Sequence, residues 1–595
     1  MRLRLFFPDP AAGVRPLELE AAPGVPLSQA VWLSGLVPPL PLCGGLGRCG
    51  RCRLRFRRAA PPPLPAESAV FTPEELAVGW RLACRHTVPE AGGDLELELP
   101  AEDFYAPDAG AGAAAPKAAA LSPTGLHAGQ LGTSAFAAAA PGSKTAAPGS
   151  ETAAPGSETA ALGSQVDALP DLVLAVDLGT TSLYWQAVDQ EGRTAAQGHG
   201  LNPQAGAGAD VMSRLAVARE PQGRGILAAL VRRELQAVAE GLAVRGVGRI
   251  VRLCLAANPA MTAIFLDRDV SGLCAAPYRL DFTGDVVADV PGLPPVYVPP
   301  QPAPFVGGDV SAGLAALLER GAPRPFVLAD MGTNGEMALL TDTALWLTSV
   351  PLGPALEGIG PQCGQQAGPG VVTGFALTPL GLTARLFAEP AAAAPHGAAC
   401  PCSACAAVGP GTQPEPAARA RGISATGYLS LLAVLLRAGL LQSDGRLDPA
   451  PAMPLTRRLA AGLEHGRLRL PHGLWLDAGD VEELLKVKAA FALALEALLR
   501  AADLPVAGVA RLCLAGSLGA HVCLEDLETL GFLPAGLARR TEAVGNTALE
   551  GAALLARCPE RGAAVARLCC KAHVLALTQQ PDFAHDYLRQ MRFGG

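Results

Sequence analysis

The chain has 595 residues, half of them apolar, and a formal net charge of −7. This length predicts several domains, and the acidic balance argues against nucleic-acid binding. The first ten residues lack the apolar core of a signal peptide, and the most apolar stretch, 428–441, is too short to span a bilayer. We therefore expect a cytoplasmic protein with no membrane segment, whose fifteen cysteines serve metal, redox or core roles before disulfides.

A cysteine pattern marks the first hundred residues. Cys43, Cys49 and Cys52 share one glycine-rich stretch, and Cys84 follows later in the chain. Four thiolates, three of them on one loop, suit a [2Fe–2S] cluster, and the glycines let main-chain N–H groups turn towards the sulfur atoms. The spacing resembles that of adrenodoxin-like ferredoxins. A zinc site or core cysteines are the alternatives, although a zinc ribbon would carry a second C-x₂-C pair.

The residues around these cysteines predict a β-grasp ferredoxin domain over 1–100. We expect strands at 1–7, 16–20 and 53–56, a short helix at 28–34, and a returning segment at 80–84. Six arginines crowd the cysteine loop: Arg48, Arg51, Arg53, Arg55, Arg57 and Arg58. They favour a solvated strand face, with a docking patch for an acidic electron donor as the alternative.

Residues 101–170 are rich in Ala, Pro, Gly and Ser. A heptad that begins at Ala139 recurs at Ala146 and Ala153. Because the heptad has no bulky apolar face, it cannot form a coiled coil or bury enough surface to fold. The segment is predicted to be a flexible tether.

Two later stretches share one plan: an apolar strand ends in Asp, a turn with Gly and Thr follows, and a second strand returns. Such a turn lets backbone N–H groups approach phosphate oxygens, and the Asp can hold Mg²⁺. One copy alone would be a plain polar hairpin, but the duplication favours a phosphate site. The candidate residues are Asp177, Gly179, Thr180, Thr181, Asp330, Gly332, Thr333, Asn334, Gly335 and Glu336.

A third stretch runs from a strand into a loop with Gly516, Ser517 and Gly519. Together the three resemble the phosphate-1, phosphate-2 and adenosine motifs of the sugar kinase/heat-shock-70/actin superfamily. That resemblance implies an α/β, actin-like ATPase of two ribonuclease-H-like halves, 171–324 and 325–595, which close over Mg-ATP. The expected fold class is therefore multidomain, α+β followed by α/β.

Two further motifs, 353–358 (Gly-Pro-Ala-Leu-Glu-Gly) and 545–552 (Gly-Asn-Thr-Ala-Leu-Glu-Gly-Ala), extend the resemblance. With the cysteine pattern, they resemble the reductive activators of corrinoid enzymes. This implies ATP-dependent, one-electron reduction of a Co(II) corrinoid protein or cobalamin-dependent methyltransferase to Co(I). It also implies a low-potential electron donor of ferredoxin or flavodoxin type. A small middle domain, usual before the first phosphate motif, is expected to be missing, with the heptads in its place.

Several assignments stay open at this point. The rival functions are a small-molecule kinase with a fused redox domain, for which we find no catalytic-base motif, and a non-enzymatic electron carrier. Thr348 and Ser349 are candidates to face the partner, with a role as strand-end residues as the alternative, and a homodimer is an open arrangement. Cys400, Cys402 and Cys405 favour a surface loop with incidental thiols over a metal site.

Overall fold

The structure is a computed structural model, and it describes residues 1–7, 16–47, 49–90, 93–100, 169–358, 360–387, 420–519 and 521–594. The loop with Cys400, Cys402 and Cys405 lies outside the described residues, and so does the predicted tether except for its last two residues. Within those ranges, none of the helices combines the length and the apolarity that crossing a bilayer requires.

Residues 1–100 contain a mixed five-stranded sheet in the order β2-β1-β5-β3-β4. Its elements are β1 (Arg2–Phe6), β2 (Leu17–Glu20), α1 (Leu27–Trp32), β3 (Arg53–Phe56), α2 (Pro73–Ala77), β4 (Trp80–Leu82) and β5 (Leu95–Glu98). Side chains alternate along β1, so Leu3 and Leu5 enter the core that α1 covers. The parallel pairing of β1 with β5, between antiparallel neighbours, gives the predicted β-grasp fold. We call this unit the N-terminal domain.

The first half of the remaining chain forms a six-stranded sheet in the order β10-β11-β9-β6-β7-β8. Its elements are β6 (Asp171–Leu178), β7 (Ser182–Val188), β8 (Thr194–Leu201), α3 (Val211–Ala218), α4 (Pro221–Val244), β9 (Arg249–Ala257), α5 (Pro259–Phe265), α6 (Ser271–Cys274), β10 (Val286–Ala288), β11 (Val296–Val298) and α7 (Gly308–Glu319). We call it the first half.

The second half repeats this plan in the order β22-β21-β12-β13-β14-β23. Its sheet and covering elements are β12 (Phe326–Met331), β13 (Asn334–Leu340), β14 (Leu345–Pro351), α8 (Ala425–Arg437), α10 (Ala478–Ala501), β21 (Arg511–Ala515), α11 (Gly516–Gly519), α12 (Leu524–Leu530), β22 (Thr541–Gly545), α13 (Thr547–Arg557), α14 (Pro559–Cys569), β23 (His573–Leu575) and α15 (Phe583–Gln590). Two small sheets and one helix complete it: β15 (Val371–Thr378), β16 (Gly381–Leu386) and β17 (Gly422–Ile423); α9 (Pro454–Ala460); and β18 (Leu463–Glu464), β19 (Arg467–Arg469) and β20 (Trp475–Leu476). In both halves a hairpin pairs in parallel with a later strand, β6 with β9 and β12 with β21.

The long helix α10 begins one turn earlier than its sequence indicates. The sequence alone predicts Asp480 as the N-cap, with Glu483 closing a capping box. In the structure the N-cap is Asp477, and Asp480 closes the box. The Asp477 N–H donates to Asp480 Oδ2 at 3.1 Å. Because β20 ends at Leu476, the helix starts immediately after the strand. Glu483 is left on the helix surface, where its carboxylate pairs with Lys486.

Helices α7 and α13 lie in one apolar core with residues of both six-stranded sheets. They approach so closely at Gly551 that a Cβ atom there would lie 1.8 Å from the Ala312 carbonyl oxygen. Only a glycine permits this contact, which joins the last part of the chain to the first half.

We therefore expect Gly551→Ala to separate the two helices and to destabilise the protein by about 1–3 kcal/mol, the usual cost of overpacking. The matched control is Gly225→Ala in α4, where an added Cβ meets nothing within 4 Å. That change should stabilise the helix by about 0.5–1 kcal/mol. Urea unfolding midpoints check both, and an unchanged midpoint in Gly551→Ala would contradict the close helix contact.

Candidate functional site

The cysteine loop is shaped by four glycines in the left-handed region: Gly44, Gly45, Gly47 and Gly50, with φ of 61°, 91°, 72° and 65°. Residues with a Cβ avoid this conformation, so the glycines allow the chain to wrap around the thiols. Cys84 lies in a 3₁₀ turn that is attached to the loop, because the Ala83 N–H donates to the Cys52 carbonyl at 2.8 Å. The four predicted cluster ligands are thus brought together.

The four thiols are hydrogen-bonded to one another. A hydrogen bond with Cys43 raises the pKa of both Cys49 and Cys84, and a hydrogen bond from Cys84 lowers the pKa of Cys52. In this network the thiols share protons. As metal ligands they would all be deprotonated. The arrangement fits an iron–sulfur cluster.

The first strand of each hairpin, β6 or β12, places a carboxyl group in one cleft. Burial raises the pKa of Asp177 to about 7 and that of Asp330 to about 6, and it raises the pKa of Glu336 well above its usual range. Asp309, in the first turn of α7, joins them, and burial raises its pKa to about 7. The negative charge of Asp330 also opposes ionisation of the other three carboxyls. Such a group fits a divalent cation, which would neutralise it.

Among the described residues, no three His, Cys, Asp or Glu side chains surround one point as a cage for a metal ion would. Neither of the two groups that the sequence predicts requires such a cage. A [2Fe–2S] cluster divides four thiolates between two irons. Mg²⁺ with a nucleotide takes one or two carboxylates, and phosphate and water oxygens supply the rest.

Glu357 connects the turns of the two hairpins. Its carboxylate accepts hydrogen bonds from the Thr181 and Thr333 hydroxyl groups. Burial raises the pKa of Glu357, while the two hydroxyls and the guanidinium of Arg214 act in the opposite direction. Arg214 is fully buried, and its Nη2 has no hydrogen-bond partner among the described residues.

The other predicted residues lie around the same cleft. Thr180 accepts a hydrogen bond from Asn258 Nδ2 at 3.4 Å. Gly516 has a φ of 85°, and a Cβ there would lie 2.7 Å from Asp330 Oδ1. The remaining positions are in the hairpin turns, at the start of β13 or in α11: Gly179 and Gly332, Asn334 and Gly335, and Ser517 and Gly519. The third stretch therefore meets the second hairpin, as a nucleotide site between halves requires.

Sequence reasoning did not single out four residues of this cleft: Asp309, Glu357, Asn546 and Arg214. Asn546 Nδ2 donates to Asp177 Oδ2 at 2.7 Å from the N-cap of α13. Glu357 and Asn546 lie in the motifs at 353–358 and 545–552, which the sequence analysis used only as marks of family resemblance. For Asp309 the available signal was two glycines and an acid at a helix start.

Of the two roles that the sequence left open for Thr348, the partner-facing one is wrong. Thr348 is fully buried, and its hydroxyl donates to the Leu575 carbonyl of β23 at 3.0 Å. The parallel strand β23 covers this edge of β14, so the side chain is satisfied inside the sheet. Ser349 is half-buried opposite Glu336, and its role stays a prediction.

The two matching sheets, the duplicated hairpins and the acidic cleft define the actin-like ATPase class, here preceded by a ferredoxin-like domain. Two family models match: the "C-terminal domain of RACo the ASKHA domain" over residues 324–594, and the "RACo middle region" over 172–318. Together they account for more than two thirds of the chain. The chain belongs to the RACo family of reductive activators.

Individual relatives agree with this family. A [Co(II) methylated amine-specific corrinoid protein] reductase of Methanosarcina barkeri is 26% identical over 403 residues, which are 63% of this chain and 68% of the relative. The corrinoid activation enzyme RamQ of Eubacterium limosum is 25% identical over 450 residues, 71% and 70% of the two chains. The solved structure of a reductive activator for corrinoid, iron-sulfur protein superposes with a TM-score of 0.58 at 20% identity, covering 99% and 98%. This structural likeness concerns the fold.

These matches also bear on domain content. The family model for the middle region begins at Leu172, so it covers the first half and not the stretch before the first hairpin. The expectation that a small domain before the first phosphate motif is missing concerns that earlier stretch, and it stays a prediction.

The acidic cleft predicts a pH dependence of ligand binding. Because burial holds the pKa of Asp177 and Asp330 at about 7 and about 6, these carboxyls retain protons near neutrality, and Mg²⁺ binding must release them. The affinity for Mg²⁺-nucleotide should therefore rise with pH between about 6 and about 7. Calorimetry in two buffers of different ionisation enthalpy measures the released protons. Equal affinity across this interval, without proton release, would contradict the cation assignment.

Proposed function

We propose that the chain is an ATP-dependent reductive activator of a corrinoid protein, which passes one electron from a [2Fe–2S] cluster to Co(II) to restore Co(I). The observation that carries this proposal is the presence of two sites in one compact unit: four converging thiols and an acidic cleft between duplicated hairpins. The names of the relatives, a corrinoid protein reductase and a corrinoid activation enzyme, support the choice of acceptor.

The residues of the cleft take distinct roles in this proposal. Asp177 and Asp330 hold Mg²⁺, and Asn546 orients Asp177 through its hydrogen bond. The turns with Thr180, Thr181 and 332–335 present hydroxyls and main-chain N–H groups to the phosphates. The α11 segment with Gly516 lies beside Asp330 and lines the adenosine side.

ATP is needed because the electron transfer is uphill. Plant-type [2Fe–2S] centres have potentials of about −400 mV, and the Co(II)/Co(I) couple of the acceptor is expected to lie lower. Each 59 mV of a one-electron gap costs about 1.4 kcal/mol. Closure of the two halves around Mg-ATP would set the affinity for one state of the corrinoid protein, and this differential affinity can offset the gap.

The electron donor, the location and the assembly belong to the same proposal. A low-potential ferredoxin or flavodoxin would reduce the cluster, and both reactions would take place in the cytoplasm. A homodimer is an alternative to a single chain.

The test combines the purified, cluster-loaded protein, a low-potential reductant, Mg-ATP and a Co(II) corrinoid protein. We expect the Co(I) absorption to appear only with ATP, together with ATP hydrolysis that the corrinoid protein stimulates. Phosphorylation of an added sugar or acid would instead identify the kinase alternative. Cluster reduction without nucleotide turnover would identify the electron carrier.

A further inference from the structure

The N-terminal domain packs directly against the first half. Leu42, which precedes the first cluster cysteine, makes two main-chain hydrogen bonds. Its N–H donates to the Ala205 carbonyl at 3.4 Å, and its carbonyl accepts from the Ala209 N–H at 2.7 Å. Next to them, a Cβ at Gly206 would lie 2.7 Å from the Cβ of Trp32, which is only 1% exposed. The contact is therefore closely packed as well as hydrogen-bonded.

The cysteine loop also reaches the nucleotide cleft. Arg51, between the second and third cysteines, donates from Nη2 to the Gly358 carbonyl at 3.4 Å. Gly358 directly follows Glu357, whose carboxylate is held by one hydroxyl from each hairpin turn. We call Glu357 and Gly358 the switch segment. One side of the switch segment thus contacts the cysteine loop, and the other contacts both hairpins.

A second contact links the cysteine loop to the nucleotide cleft, this time through helix α3. A Cβ at Gly44 of the cysteine loop would lie 2.3 Å from Ser213 Oγ in the first turn of α3. The next residue, Arg214, interacts electrostatically with Glu357. The cysteine loop is therefore linked to Glu357 both through the switch segment and through α3.

ATP and Glu357 compete for the same partners. In the proposed function, the Thr181 and Thr333 hydroxyls face the phosphates, yet in this structure both donate to Glu357. A triphosphate brings negative charge next to this carboxylate and offers its own oxygens to the same donors. Nucleotide binding therefore favours a position of Glu357 away from the hairpins.

We propose that the switch segment is the device by which Mg-ATP releases the N-terminal domain from the first half. The phosphates displace Glu357 from the two threonines, Gly358 moves with it, and the contact with Arg51 is lost. The released cluster could then approach a corrinoid protein. This proposal rests on the proposed function, because it takes Mg-ATP as the ligand of the cleft. By reciprocity, the docked N-terminal domain must lower the affinity for nucleotide.

Hydrogen exchange of the full, cluster-loaded protein tests the release. The amides of Leu42 and Ala209 report the docked contact, because their main-chain hydrogen bonds cross it. Saturating Mg²⁺ with a non-hydrolysable ATP analogue should speed their exchange at least about fivefold, the lower end of usual coupling. The amide of Leu174, in the middle of β6, should stay unchanged.

Two variants test the linkage from opposite sides of the contact. Arg51→Ala removes the contact with the switch segment, and Gly206→Ala presses against Trp32 without touching the cysteine loop. Each should speed exchange at Ala209 without nucleotide and tighten nucleotide binding by a similar factor. Arg58→Ala is the matched control, since this exposed arginine pairs only within its own sheet, with Glu96. It should change neither quantity.

Three results would overturn the proposal, and they separate it from the proposed function. If calorimetry shows nucleotide binding but the interface amides exchange at an unchanged rate, the switch is wrong and the activator function stands. If both variants undock the domain and nucleotide affinity stays the same, the coupling is wrong. If the wild-type protein binds no nucleotide, the switch and the proposed function fail together.

Discussion

Replacing Asp330 by Asn is expected to lower corrinoid-stimulated ATP hydrolysis by about a hundredfold or more and to leave the cluster spectrum intact. A Mg²⁺ ion contributes several kcal/mol of charge stabilisation to phosphoryl transfer, and each 1.36 kcal/mol is tenfold in rate. The amide keeps the volume of the side chain beside Gly516, where space is limiting. The charge is therefore the only large change at this position.

A stability measurement separates this effect from misfolding. Burial raises the pKa of Asp330 in the folded protein to about 6, so ionising it costs folding free energy as the pH rises through that value. Asp330→Asn removes this cost, and the nucleotide-free variant should melt at the same or a higher temperature above about pH 7. The control is Asp342→Asn at an exposed turn, which should keep full turnover. Full turnover in Asp330→Asn would end the assignment of this hairpin as a phosphate site.

Cys84→Ser is expected to abolish or strongly weaken the visible absorption of the [2Fe–2S] cluster. The Cys84 thiol is hydrogen-bonded to both Cys43 and Cys52, so its replacement removes a ligand from the centre of the network. Nucleotide binding, measured by calorimetry, should survive because the cleft is built from other segments. Cys570→Ser, at an exposed position after α14, is the matched control and should keep the full spectrum. A full-strength spectrum in the Cys84→Ser protein would place the fourth ligand elsewhere.

Local patterns were sufficient for the parts of the site that lie within short stretches of chain. Three of the four thiols share one glycine-rich loop, and each phosphate hairpin is a strand, an acid and a turn in sequence. Cys84 was also found, because thiols are rare enough to be matched across a gap. The β-grasp fold followed from alternating strands such as β1, where the period of two sets the buried face.

The sequence by itself therefore determined the cluster ligands as candidates, the duplicated hairpins and the family resemblance. Only the tertiary structure decided which distant side chains join them. Asp309 lies at the start of a helix, Glu357 in a 3₁₀ turn and Asn546 at a helix cap. No periodicity within a single segment predicts that these three side chains lie close together in the fold. The burial of Thr348 depends on β23, more than two hundred residues later. The docking of the cysteine loop is of the same kind, because two surfaces meet only when both are folded.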